Sequence, residues 1–325
     1  MAETINLQAE VSSDLSGLRL DQIAAQLFPD YSRSRLQAWI KEGVLLVNGE
    51  RQRPREKLYT GAILVISVAV VDSERWQAED IPIDIVFEDD SLLVLNKPAG
   101  LVVHPAAGHA TGTLLNALLN HCEDLGSVPR AGIVHRLDKD TTGLMVVAKT
   151  LAAHNSLVEQ LQARTVSREY EAVVTGIMTG GGTLKANIGR HPTQRKKMAV
   201  VDIGGKEAIT HYRLAERFAN HTHIRVKLET GRTHQIRVHM SHIRYPLVGD
   251  AVYGGRQRLP KAAPAELIEV LRGFSRQALH ARALALIHPT IGQTMRWEVE
   301  LPADLLVLLD MLRQYDYPGV SLDDY

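Results

Sequence analysis

The segment HRLDKDTTGLMV, from His135 to Val146, sets two carboxylates, Asp138 and Asp140, one residue apart among basic side chains and directly ahead of an apolar run. A plain turn into a buried strand needs neither. A calcium loop opening at Asp138 requires a bidentate glutamate at its twelfth position, which here is Lys149. An Asp-x-Asp-x-Thr phosphatase loop follows a clean apolar strand near the start of a doubly wound domain. Here His135 and Arg136 precede the first carboxylate, and the later GDAVYGG offers a single acid where that chemistry expects another ligand. The third chemistry is metal-free. A carboxylate beside an arginine is ionised at neutral pH and can attack an electrophilic carbon. Asp140, followed by Thr141, Thr142 and Gly143, reads as turn chemistry, its side chain available to bond nearby backbone N–H groups. No Gly-x-Ser-x-Gly elbow and no Walker-type phosphate loop is present.

A second group of candidates lies in RTHQIRVHMSHIR, residues 232–244, which contains no acid. Read as a strand, it puts Arg237 between the buried neighbours Ile236 and Val238, an unusual place for a cation. The same reading sends His234 and His239 to opposite faces, so with His242 they do not form a metal site; RNA-contacting or structural roles fit better. Lys185 to Lys197 carries five Lys or Arg and no acid, weak evidence because surface loops often do. Tyr31 to Lys57 holds seven basic residues against three acids, net +4, among them Arg33, Arg35 and Lys41. The chain as a whole is neutral, with 37 basic and 37 acidic residues. A phosphate backbone is gripped by such a local patch rather than by net charge.

These residues need a frame. A chain of 325 residues predicts two domains. From Gly17, "RLDQIAAQLF" and "YSRSRLQAWIKEG" have helical spacing, with Ser32 as N-cap and Gly43 as stop, and Arg33, Gln37 and Lys41 stacked on the open face. "VLLVNGE" enters an Asn48-Gly49 hairpin turn and "AILVISVAVV" is a further strand. The polar stretch from Val71 to Asp84 is the linker, so residues 1–75 form one domain and 76–325 the other. The larger part reads as strands joined mostly by turns, with irregular helices such as "GTLLNALLNH" and "DLLVLLDMLRQY". The prediction is an α+β fold with a mixed, mainly antiparallel sheet. Cys122 is the only cysteine, which suits a reducing cytoplasm, and neither a secretory signal nor a membrane-length apolar run is found.

The motifs NKPAGLVVHP, GIVHRLDKDTTGLMVVAKT, SREYEAV and ETGRTHQIRVHMSHIRYPLVGDAVYGG resemble, in order, those of the RluA-type RNA pseudouridine synthases. The stretch "RLDQIAAQLFPDYSRSRLQAWIKEGVLLVNGE" resembles the S-four-like RNA-binding domain, named after a ribosomal protein. Together the resemblances run from about Gly17 to Pro302. They imply that Asp138 is the catalytic aspartate, that Tyr170 stacks on the flipped uracil, and that Arg237 pairs with the catalytic carboxylate. They imply substrate-binding roles for Arg136, Arg232, His234, Arg33, Arg35 and Lys41, and none in catalysis for Asp140. The implied activity is isomerisation of uridines in 23S rRNA, in the helix 69 stem-loop, or in a large-subunit precursor. It implies a monomer with no metal and no small-molecule cofactor, acting away from membranes. A sister enzyme with other target uridines, and a non-catalytic rRNA-binding assembly factor, are the alternatives. Asp138 has three open roles: attack on the anomeric carbon, attack on the ring, or removal of a ribose proton.

Overall fold

A computed structural model describes residues 4–28, 31, 33–69, 76–105, 111–194, 197–255, 259–260 and 263–316. The chain divides into two compact units, residues 1–75 and 76–325.

In the first unit, strands β1 (Thr4–Glu10), β2 (Leu45–Val47) and β3 (Ile63–Ala69) form an antiparallel sheet in the order β1-β3-β2. Helices α1 (Leu20–Leu27) and α2 (Arg33–Glu42) cover it. Leu20, Ile23 and Ala24 of α1 meet Leu36, Trp39 and Ile40 of α2 over Leu45, Val47, Leu64 and Ile66. The opening strand β1 went unread in the sequence, although Leu7 and Ala9 alternate with polar residues. Gly43 ends α2 at φ +78°, and Asn48 and Gly49 take φ +50° and +83°, the left-handed pair a primed turn requires. That turn closes only a Val47–Glu50 bridge, and the antiparallel partner of β2 is the later β3, so no two-strand hairpin forms there. Gln37 does not lie open: its amide donates to the buried Asp21 at 2.7 Å. Ser32, the expected N-cap, and the side chains of Arg33 and Arg35 lie outside the described residues.

The second unit is built on a ten-stranded sheet. Its strands are β4 (Asp84–Glu88), β5 (Leu92–Lys97), β6 (Thr142–Ala148), β7 (Ser167–Thr175), β8 (Gly182–Arg190), β9 (Met198–Val200), β10 (Lys206–Arg217), β11 (His221–Leu228), β12 (Leu279–Ile287) and β13 (Thr294–Glu298). Their order is β4-β5-β6-β12-β7-β11-β10-β8-β9, with β13 added to β12. Every pairing is antiparallel except β6 with β12, so the expected mixed α+β architecture holds.

Both sheet faces are covered. Leu93, Leu95, Met145 and Val147 point into one core with helix α3 (Leu114–His121) and helix α5 (Gln235–His242). Leu92, Val94, Leu144 and Val146 point into another with α4 (Leu151–Gln162), and Val173 packs with α6 (Ala265–Gly273) and α7 (Ala303–Tyr315). This explains why β6 reads as an unbroken apolar run: all seven of its residues are buried. Among the described residues no helix is long and apolar enough to cross a membrane.

Candidate active site

Asp138 sits on the loop that enters β6, and its position is fixed from several sides. Thr141 N–H bonds the Asp138 carbonyl at 3.1 Å, closing the turn that contains Asp140. Thr141 Oγ1 accepts from Gln277, and Thr142 Oγ1 meets His280 Nδ1 at 2.8 Å. Next comes Gly143 at φ +111°, where a Cβ would lie 2.2 Å from the Ala281 carbonyl oxygen. Only glycine lets β6 approach β12 this closely. On the other side Lys97, fully buried, donates to the carbonyls of Pro98, Leu101 and Lys139 at 2.7, 3.1 and 2.8 Å. Burial brings its ammonium down to about 8. It ties the NKPAG loop to the Asp138 loop. His135 accepts from Val146 N–H through Nε2, and burial, with Arg168 nearby, holds its imidazole down to about 3, a neutral ring.

The second half comes from α5. The sequence reading made residues 232–244 a strand; they form a helix from Gln235 to His242, entered through His234 at φ +56°. Valine and isoleucine set among polar residues imitate strand alternation, and the decisive contacts are distant. Buried Gln235 accepts from Thr230 Oγ1 and Arg232 N–H and donates to the Ile209 carbonyl and Thr210 Oγ1, locking the helix start onto β10. Helical geometry then separates the histidines. His239 bonds Thr210 Oγ1 in the interior, His242 is exposed, and His234 faces the cleft described below. Among the described residues no three potential ligands gather as a metal site.

Arg237 links the two halves. Its Nη1 donates to Asp138 Oδ2 at 2.9 Å, while Nε and Nη2 grip Asp250 at 2.7 and 3.0 Å. The Asp250 side chain is wholly buried and also accepts from Val252 and Tyr253 N–H. Burial works against both charges, but the mutual bonds outweigh it: the guanidinium is raised and the Asp250 carboxyl is held below its ordinary value. The Tyr253 ring lies 5.0 Å under the guanidinium, and its hydroxyl meets His234 Nδ1 at 2.8 Å. His234 Nε2 stands 3.8 Å from Asp138 Oδ1.

These groups open on a cleft of about 550 Å³. Asp138, Tyr170, Arg237, Arg136, Arg232 and His234 all line it. Arg136 is exposed, Tyr170 is buried on β7, and Arg232 is tethered to the Glu207 carbonyl at 2.9 Å. Asp140 is not among the lining residues. Lys41 is exposed on α2 in the first unit. Sequence reasoning missed Asp250, Tyr253, Lys97 and Arg168. GDAVYGG belongs to the motif that carries the resemblance, and its acid three residues before a tyrosine is the available signal for Asp250 and Tyr253.

The profile of the RNA pseudouridylate synthase family matches residues 91–242, and that of the S4 domain residues 18–64. The chain is 64% identical to "Ribosomal large subunit pseudouridine synthase D" of Pseudomonas aeruginosa, over 97% of this chain and 98% of that protein. The chain belongs to the RNA pseudouridylate synthase family. The proteins of the same name from Salmonella typhimurium and Escherichia coli O157:H7 are 56% and 54% identical, each over 96% of both chains. Among solved structures, human RNA pseudouridylate synthase domain containing 1 aligns at 25% identity and TM-score 0.55, covering 76% of this chain and 94% of that one. Human RNA pseudouridylate synthase domain containing 4 aligns at 26% and 0.53, covering 72% and 94%. As a pseudouridylate synthase the protein is an isomerase acting on RNA, and the resemblance read from its motifs is borne out.

Proposed function

We propose that this synthase isomerises uridines of 23S ribosomal RNA, in the helix 69 stem-loop, to pseudouridine, working as a single chain in the cytoplasm with Asp138 as its catalytic carboxylate. The observation that carries this reading is the Asp138 carboxylate held by Arg237 at the wall of a cleft of about 550 Å³. The relatives named as large-subunit enzymes support the choice of RNA. So does the S4 unit, whose Arg33, Arg35 and Lys41 are basic residues suited to phosphate contacts.

A uridine inside a helix cannot reach a carboxylate on a cleft wall, so the base is extruded, at a cost of a few kcal/mol. Arg136, exposed at the cleft, then holds the opened strand, and Tyr170 presents its ring to the base. Asp138 assists rupture of the bond between the ribose and N1 of the base. The base turns and rejoins through C5, the C5 proton is lost to water and N1 gains one in its place. Nothing is oxidised and no phosphate moves, so the residues of the cleft and the substrate supply the whole reaction.

Release of tritium from the fifth ring carbon of uridine in 23S RNA measures it. Asp138→Asn should abolish release while leaving RNA binding intact, and Asp140→Ala should keep most of the activity. Full activity in the first, or equal loss in the second, overturns the assignment.

A further inference from the structure

Arg168 is one of the cations lining the cleft that the reaction as written leaves idle. It lies on β7 two residues before Tyr170, on the same face, and both line the cleft. Its backbone is paired on both sides, opposite Leu228 of β11 and Leu284 of β12, so the side chain is anchored on a central strand. The residue is 7% exposed, yet no carboxylate pairs with it among the described residues. Nη2 donates to the Glu229 carbonyl at 3.1 Å. Nε is buried without a partner, and Nη1 lies against Gly231 on the cleft wall. Of the other guanidiniums lining the cleft, Arg237 is engaged by two carboxylates and Arg164 by Glu207 and Glu229, while Arg232, like Arg168, bonds a backbone carbonyl.

A buried charge without a counter-charge is costly and persists where something else supplies the partner. The substrate base offers one. When the bond from C1′ to N1 breaks, its electron pair leaves with the base, and the negative charge spreads onto the carbonyl oxygens. If the carboxylate instead adds to the ring, the charge again collects on a carbonyl oxygen. In each of the roles open to Asp138 the base therefore gains charge that a fixed N–H donor stabilises more in the transition state than in the ground state. After the base turns, C5 returns an electron pair to C1′, its proton passes to water and N1 takes up a proton from water, so no further reactant enters.

We propose that Arg168 is a catalytic residue whose free N–H groups bind a carbonyl oxygen of the extruded uracil and stabilise the negative charge that the base acquires during isomerisation. This rests on the reaction proposed above. A backbone phosphate is the other anion that would fit a guanidinium, and binding separates the two. In Arg168→Ala, RNA affinity should stay within about twofold and keep its salt dependence, while the single-turnover rate falls by about 10²–10³-fold. Millimolar guanidinium should restore part of that rate, whereas urea, its neutral analogue, should not. Arg168→Lys keeps the charge and the strand, and should fall between the two. An unchanged rate in both variants overturns the proposal. So does weakened RNA binding with a salt slope lower by about 0.7, the mark of one lost phosphate contact on a single strand. A wild-type chain that releases no tritium overturns the underlying reaction, and is thereby distinct from an active Arg168→Ala.

Discussion

Asp250 is the most informative residue to perturb, because it touches the cleft only through another side chain. Its carboxylate accepts two bonds from Arg237 and two from backbone N–H groups, all within 3.0 Å, and its side chain is fully buried. Asp250→Asn keeps the shape but turns an N–H₂ toward groups that only donate. Removing one partner of a buried ion pair costs about 3–5 kcal/mol. The amide oxygen preserves part of the bonding, so about 3 kcal/mol is expected, a lowering of Tm by about 6–12 °C in a unit of this size. Arg237 then loses the fork that aims Nη1 at Asp138, and a misplacement near 1 Å lowers the rate by about 10²-fold. The expected pattern is a fall in kcat with RNA affinity unchanged.

The pH dependence gives an independent check. Arg237 holds the Asp250 carboxyl below its ordinary value of 3.8 against the opposing effect of burial. Its contribution is therefore complete above that value and is lost as pH falls through the lower folded-state value. The stability gap between wild type and Asp250→Asn, measured by thermal denaturation, should be constant from pH 7 to 5 and close below about 3.8. Wild-type stability and rate in the variant at pH 7, or a gap that does not change in acid, refutes the reasoning.

Burial holds His239 and His280 down to about 4 each, and each has a buried Nε2 without a partner. Between about 4 and the ordinary 6.5 the unfolded chain binds protons that these rings refuse, so stability is lost as pH falls, by up to about 1.4 kcal/mol per unit for each. His280→Gln should flatten that slope in denaturation measured across the range; parallel slopes would count against it. Gly143→Ala drives a Cβ onto the Ala281 carbonyl at a backbone angle hostile to alanine. A loss of about 2–4 kcal/mol, seen as a lower Tm together with lower activity, is expected.

Much of this molecule is legible in its sequence where the signal is local. β5, β6, β7 and β11 announce themselves as apolar runs or alternations, α1 and α7 as periodic stripes. Asp138 and Arg237 emerge because a charge stands where packing alone would exclude it. What escapes is decided at a distance. Residues 235–242 become a helix because Gln235 finds partners on β10 and His234 adopts a left-handed backbone, and neither leaves a periodic trace. Asp250 looks like an ordinary turn acid until Arg237 is brought against it. Arg168 looks like surface charge until the sheet closes on both sides of it. Lys97 looks solvent-bound, yet three carbonyls surround its nitrogen.

The sheet order has a temporal consequence. β12, residues 279–287, lies between β6, which follows the Asp138 loop, and β7, which carries Arg168 and Tyr170. β6 and β7 are neighbours in the chain's sequence of strands but not in the sheet, and the space between them is filled by a segment translated more than one hundred residues later. During synthesis, residues 76–278 can leave the ribosome before the strand that stands between β6 and β7 has been made. The pairing that sets these two strands in register therefore waits until the late strand has emerged, as non-local sheet pairings do.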